Sequence, residues 1–138
     1  MKIMLIDDDS DDREIFGEAV YDIGSSIIVE TAWSASNALE KLNAMTTSLP
    51  DIIFLDINMP IVSGWDCLTL LKQDPALSSV PVVMFSTSAH EKEKLTAQQM
   101  GAAGLMTKRS SYESLKAHLR AIIDYFHGGE LPAGFTGS

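Results

Sequence analysis

Asp7, Asp8, Asp56, Ser86 and Lys108 are polar residues placed at or just beyond the ends of short apolar runs. Residues 3–6 lead into Asp7-Asp8, 52–55 into Asp56, 82–85 into Ser86, and 105–106 into Thr107-Lys108. If those runs are parallel strands, their ends lie on one edge of a sheet, and three carboxylates, a hydroxyl and an ammonium meet in one shallow cleft. Carboxylates that close need a counter-charge. Lys108 supplies one positive unit, and a hard divalent cation would supply two more. Mg²⁺ suits such a site because it takes oxygen ligands and keeps several waters, so a few protein oxygens suffice. A carboxylate flanked by such a cation and a lysine can attack phosphorus, because charge growing on the equatorial oxygens is neutralised. Phosphoryl transfer to an aspartate is the chemistry these residues point to.

The elements that must position them can be read from periodicity. The four runs do not alternate apolar with polar, as expected of strands covered on both faces, and residues 27–29 make a weaker fifth. Helical spacing fills the intervals. Asp11 and Glu14 form a capping-box pattern ahead of Ile15, Phe16, Ala19, Val20 and Ile23. Ser34 precedes a stripe of Ala35, Ala38, Leu39, Leu42 and Met45, and a helix carrying Trp65, Leu68 and Leu71 should stop at Asp74-Pro75. Residues 91–100 have only Leu95, Ala97 and Met100 as anchors and should form one of the more mobile helices, with one of Ser86, Thr87 and Ser88 as its cap. Ser110 and Glu113 form another capping pattern, ahead of Leu115, Leu119, Ile122, Ile123 and Phe126, and Gly128-Gly129 ends that helix. Strand and helix alternating five times predict a doubly wound α/β fold, with function at the carboxyl ends of the strands.

Bulk properties narrow the function. With 138 residues the chain is expected to form one domain, over residues 1–127, with a flexible tail over 128–138. A net charge of −9 argues against nucleic acid or an anionic membrane as partner. Cys67 is the one cysteine, so no internal disulfide is available and a reducing, cytoplasmic setting is expected. No apolar run approaches membrane-spanning length.

Each piece also has a plain structural reading. Asp9, Asp11 and Asp12 read as a solvated first helical turn, Asp7-Asp8 alone as a cap, and Lys108 alone as a surface charge. His90, His118 and His127 read as solvated helix residues, and Trp33 and Trp65 as packing residues. The coincidence of four strand ends is what favours chemistry.

Together these residues resemble the response-regulator receiver domain of two-component signalling, over roughly residues 2 to 126. The resemblance rests on Asp7-Asp8, on Asp56 within "IIFLDINMPIVSGWDCL", on Met59-Pro60 and Gly64, on Ser86 and on Lys108. It implies a flavodoxin-like, CheY-like sheet of five parallel strands in the order 2-1-3-4-5 with five helices. It implies Asp56 as phosphoacceptor, with Mg²⁺ bound by Asp7, Asp8, Asp56 and the backbone carbonyl of Asn58. Lys108 would neutralise the phosphoryl group and Ser86 would turn toward it. The donor would be a phosphohistidine on a sensor histidine kinase or a histidine phosphotransfer protein. Beyond self-phosphorylation and autodephosphorylation no enzyme activity is expected. Output is expected through a downstream protein contacting the face of the fourth helix, fifth strand and fifth helix, from a stand-alone receiver that is a monomer or a weak phosphorylation-dependent dimer.

Three positions depart from the family pattern. Arg109 stands where a proline, often after a cis bond, is usual, and a cis bond before a non-proline residue costs about 3 kcal/mol, so the loop after Lys108 is expected to be trans. Leu105 replaces the usual aromatic switch residue, which puts an aromatic read-out of activation in doubt. Thr87 is bulkier than the common alanine and would narrow access to the phosphoryl group.

Three other functions stay open on sequence. Asp7, Asp9, Asp11 and Glu18 occupy ligand positions of a calcium loop, although Asp12 stands where that loop needs glycine. A phosphatase of the haloacid-dehalogenase type would use Asp56 as nucleophile but would need an acid at Asn58. A degenerate receiver, binding partners without being phosphorylated, is the third.

Overall fold

Alternation within each strand explains the architecture. In the computed structural model, which describes residues 1–45, 47–88, 90–108, 111–130 and 132, five strands form one sheet: β1 (Lys2–Ile6), β2 (Ile28–Ala32), β3 (Ile52–Asp56), β4 (Val82–Ser86) and β5 (Gly104–Thr107). Their order is β2-β1-β3-β4-β5, and every neighbouring pair is parallel. The helices between and after them are α1 (Ser10–Ile23), α2 (Ala35–Ala44), α3 (Gly64–Gln73), α4 (Glu91–Gln99) and α5 (Tyr112–Phe126).

Successive strand residues point to opposite faces, so each strand feeds two cores. Ile3, Leu5, Ile52, Phe54, Val83, Phe85 and Met106 pack under α1 and α5, against Phe16, Ala19, Val20, Leu119 and Ile122. Met4, Ile6, Ile53, Leu55, Val82, Met84 and Leu105 pack under α2, α3 and α4, against Ala38, Leu42, Cys67, Leu68, Leu71 and Ala97. Burial on both faces is why these strands read as unbroken apolar runs. Phe16 joins the first core edge-on to Phe54 and Phe85, at ring separations of 5.1 and 6.2 Å.

Helix starts differ in part from the sequence expectation. Ser34 caps α2 as expected, accepting from the Asn37 N–H, and α3 ends at Asp74. For α1 the cap is Asp9, which accepts from the N–H groups of Asp11 and Asp12. The helix therefore begins earlier than an Asp11 cap would allow, and Asp11 lies in its first turn. At α5 the cap is Ser111, bonded to the Ser114 N–H; Ser110 lies outside the described residues, as do Arg109 and most of the tail. The residue before α4 is His90, which makes no side-chain cap bond, so none of the three serine and threonine residues caps that helix. Leu95 is 55% exposed rather than an anchor, and Ala97 is the buried residue of α4. Trp65 packs partly buried against the core, whereas Trp33 is exposed, with the Lys41 ammonium 5.8 Å from its ring centre.

Candidate functional site

The parallel order brings the strand ends together. Asp7 continues β1, donating its N–H to the Ala32 carbonyl of β2 at 3.0 Å. Asp56 ends β3 in register with Phe85 of β4, and Ser86 ends β4 in register with Thr107 of β5. Lys108 follows β5, held by its N–H to the Ser86 carbonyl. Asp7, Asp56 and Ser86 are the buried polar residues of the described chain. They lie where backbone pairing rather than side-chain preference fixes their place.

Lys108 is the centre of charge. Its Nζ lies 2.9 Å from Asp7 Oδ2, 2.9 Å from Asp12 Oδ2 and 3.6 Å from Asp56 Oδ2. Burial disfavours the ammonium, but contacts with Asp12 and Asp7, and the Asp56 charge, outweigh it and raise its pKa. Asp12 is thus a partner of the site, 37% exposed at its side chain, and not merely a solvated residue of the first turn. Its spacing from Asp7 belongs to no ligand motif. The signal available was geometric, since α1 starts beside the end of β1 and turns its first-turn residues back toward the cleft.

Burial dominates the two inner acids. The Asp56 carboxyl is pushed up from 3.8 to about 7, by burial first and then by the charge of Asp7, against the pull of Lys108. Asp7 is raised as well, again chiefly by burial, although the Asp9 N–H donates to it. Asp7 Oδ2 is buried without a hydrogen-bond partner, and its ion pair with Lys108 is its principal compensation. Uncompensated buried carboxylate oxygens are costly.

That deficit fits a cation. Oxygens of Asp7, Asp8 and Asp56 all lie within 4.8 Å of one another, with Asp8 exposed and the other two buried. Carboxylate oxygens gathered from three residues are the donor set a hard divalent cation such as Mg²⁺ takes, so Asp7, Asp8 and Asp56 could hold one. Asn58 stands beside them, donating its N–H to Asp56 Oδ1 at 3.2 Å. The calcium-loop alternative fails here, because helix α1 runs from Ser10 to Ile23 through that loop.

The loop after Asp56 is built by backbone contact. The Gly64 N–H donates to the Ile57 carbonyl at 2.8 Å, and a Cβ on Gly64 would lie 2.2 Å from the Asp56 carbonyl oxygen. Only glycine permits α3 to start so near the acceptor loop. Between them the chain turns sharply at Ile61, whose φ is +68°, and the Val62 N–H bonds the Pro60 carbonyl at 2.8 Å. This is a γ-turn with positive φ, a strained geometry for a β-branched residue.

On the other side of the cleft, Glu93 was not anticipated as part of the site. It lies in the first turn of α4, and its Oε1 accepts from the hydroxyls of Ser86 at 3.1 Å and Ser88 at 2.9 Å. A glutamate two residues into a polar, sparsely buried helix gives no sequence signal for such a contact.

Comparison with known proteins agrees with this geometry. Residues 3–120 match the response regulator receiver domain family. The probable transcriptional regulator ycf27 of Guillardia theta is 28% identical over 88% of this chain, which spans 45% of that relative's length. Protein PilG of Pseudomonas aeruginosa is 31% identical over 91% of this chain and 90% of its own length. The phosphorylated cyanobacterial phytochrome response regulator RcpA superposes with a TM-score of 0.82 at 28% identity, covering 96% of this chain and 98% of RcpA. Among the described residues no helix is long and apolar enough to cross a membrane. With its five parallel strands in CheY-like order and its acidic strand ends around one lysine, the chain belongs to the response regulator receiver domain family.

Proposed function

We propose that this chain accepts a phosphoryl group on Asp56 from a phosphohistidine on a sensor kinase or histidine phosphotransfer protein, through a receiver unit spanning residues 1–127. Phosphoryl acceptance, Mg²⁺ binding at an acidic pocket and interaction with such donors are general to receiver domains. The single observation that carries the reading to these residues is the Lys108 ammonium, in contact with both Asp7 and Asp56.

An Asp56 carboxylate oxygen attacks phosphorus, the P–O bond forms, the P–N bond breaks, and its electron pair returns to the donor imidazole. Asp7, Asp8, Asp56 and the backbone carbonyl of Asn58 would hold Mg²⁺, which when bound favours ionised Asp56 and neutralises phosphoryl oxygens. Lys108 moves toward the phosphoryl oxygens as they take up charge. The Ser86 hydroxyl, the last group of β4, turns toward one of them. The acyl phosphate is later hydrolysed, which returns Asp56 as the carboxylate. Output follows from a changed face of α4, β5 and α5 offered to a downstream protein, as monomer or weak dimer in a cytoplasmic setting.

The experiment is labelling with acetyl phosphate and Mg²⁺, followed by intact mass. Wild type should gain one phosphoryl group and Asp56→Asn should gain none. Equal labelling of both forms would overturn the assignment.

A further inference from the structure

Two features of the α4 end of the cleft belong together. Ser86 is fully buried, and its hydroxyl proton is committed to Glu93 Oε1 at 3.1 Å. The same glutamate oxygen receives the Ser88 hydroxyl at 2.9 Å, while the Ser88 N–H donates to Ser86 Oγ at 3.1 Å. Glu93 is carried by the helix with the fewest buried residues, Ala97 alone, and with no side-chain cap. Its contacts with two serines therefore form a tie between the start of α4 and the end of β4.

A serine hydroxyl has one proton to donate. It cannot serve Glu93 and a phosphoryl oxygen on Asp56 together. We propose that Glu93 is a positioning residue that holds the Ser86 hydroxyl away from Asp56, and that its release couples the state of Asp56 to the placement of α4. The inference rests on the reading of Asp56 as phosphoacceptor. Phosphorylation draws Ser86 away, Glu93 keeps only Ser88, and the first turn of α4 loses part of its tether. The anionic phosphoryl group also repels the Glu93 carboxylate, which pushes the same way. Leu105 of β5, buried and aliphatic, offers no hydrogen-bonding side chain for this task, whereas Glu93 does.

Such coupling is reciprocal: whatever Asp56 does to Glu93, Glu93 must do to Asp56. Beryllofluoride with Mg²⁺ serves as the probe of the phosphorylated state, titrated into wild type, Glu93→Ala, Glu93→Gln, Ser86→Ala and the Ser86→Ala/Glu93→Ala double variant. Trp65 fluorescence gives the midpoint and hydrogen exchange gives the protection of residues 91–99. Glu93→Ala should lower the midpoint about tenfold or more, as expected when a bond to a charged acceptor no longer opposes the change. Glu93→Gln, which keeps a weaker neutral acceptor, should fall between Glu93→Ala and wild type. In the Ser86→Ala background, adding Glu93→Ala should move the midpoint less than about twofold. Protection of α4 should drop in free Glu93→Ala, and the gap to wild type should narrow in the loaded form, where wild type keeps only the Ser88 tie. An unchanged Glu93→Ala midpoint, or a shift that persists in full without Ser86, would overturn the coupling alone. Wild type that fails to bind beryllofluoride would overturn the phosphoacceptor reading and this inference with it.

Discussion

Lys108 Nζ and Asp12 Oδ2 lie 2.9 Å apart, joining the end of β5 to the first turn of α1. Asp12 holds the ammonium nearer to itself than to Asp56, which stands at 3.6 Å. Lys108 must leave that position to reach a phosphoryl group on Asp56, and the Asp12 charge also opposes an incoming anion. Asp12→Asn should therefore raise beryllofluoride affinity about two- to threefold. Because Asp12 is partly exposed, the loss of the pair should cost less than about 1 kcal/mol of stability. A weaker affinity in Asp12→Asn would show that Asp12 instead orients Lys108 for the reaction.

Asp56 binds its proton more tightly folded than unfolded, at about 7 against 3.8. Folding therefore takes up a proton between those values, and stability from this source is full below about pH 4 and is lost as pH rises through about 7. Asp7, raised by burial too, acts in the same direction. In chelator, urea midpoints of wild type should fall between pH 5 and 8, and Asp56→Asn should show a shallower decline and greater stability at pH 8. Wild-type midpoints that climb over this range would refute the electrostatic account of the cleft.

Gly64 admits no side chain without displacing the acceptor loop, since a Cβ would stand 2.2 Å from the Asp56 carbonyl oxygen. Gly64→Ala should cost about 1–3 kcal/mol, as overpacking against backbone does. Its second effect is on chemistry: acetyl phosphate labelling should slow even in the fully folded variant. Normal labelling at reduced stability would separate the two.

Ile61 is fully exposed at a φ of +68°, so its side chain contributes strain and little packing. Asparagine tolerates this region better. Ile61→Asn should raise unfolding stability by about 0.5–1 kcal/mol, read as a higher urea midpoint at unchanged slope. A lower midpoint would mean that the isoleucine makes contacts that outweigh its backbone strain.

Much of this was legible because it follows from periodicity. The apolar runs, their parallel direction and the meeting of Asp7, Asp8, Asp56, Ser86 and Lys108 depend on backbone pairing, which spacing along the chain reports well, while the order of the strands followed from the family resemblance. Partners chosen by a helix's rotation were less legible. Asp9 rather than Asp11 caps α1, and this two-residue shift puts Asp12 in the first turn, where it meets Lys108. Glu93 lay hidden for the same reason: its role depends on where a sparsely anchored helix comes to rest, and no hydrophobic stripe records that. Leu95 shows the converse, an apolar residue whose place on the helix surface leaves it in water.

The two cores lie on opposite sides of the sheet, and each sends one acid to its exposed rim: Asp12 from the layer of α1 and α5, Glu93 from the layer of α2, α3 and α4. One grips the lysine and the other grips the serine. The two helical layers thereby reach a common junction, so a shift of α1 would bear on the lysine and a shift of α4 on the serine.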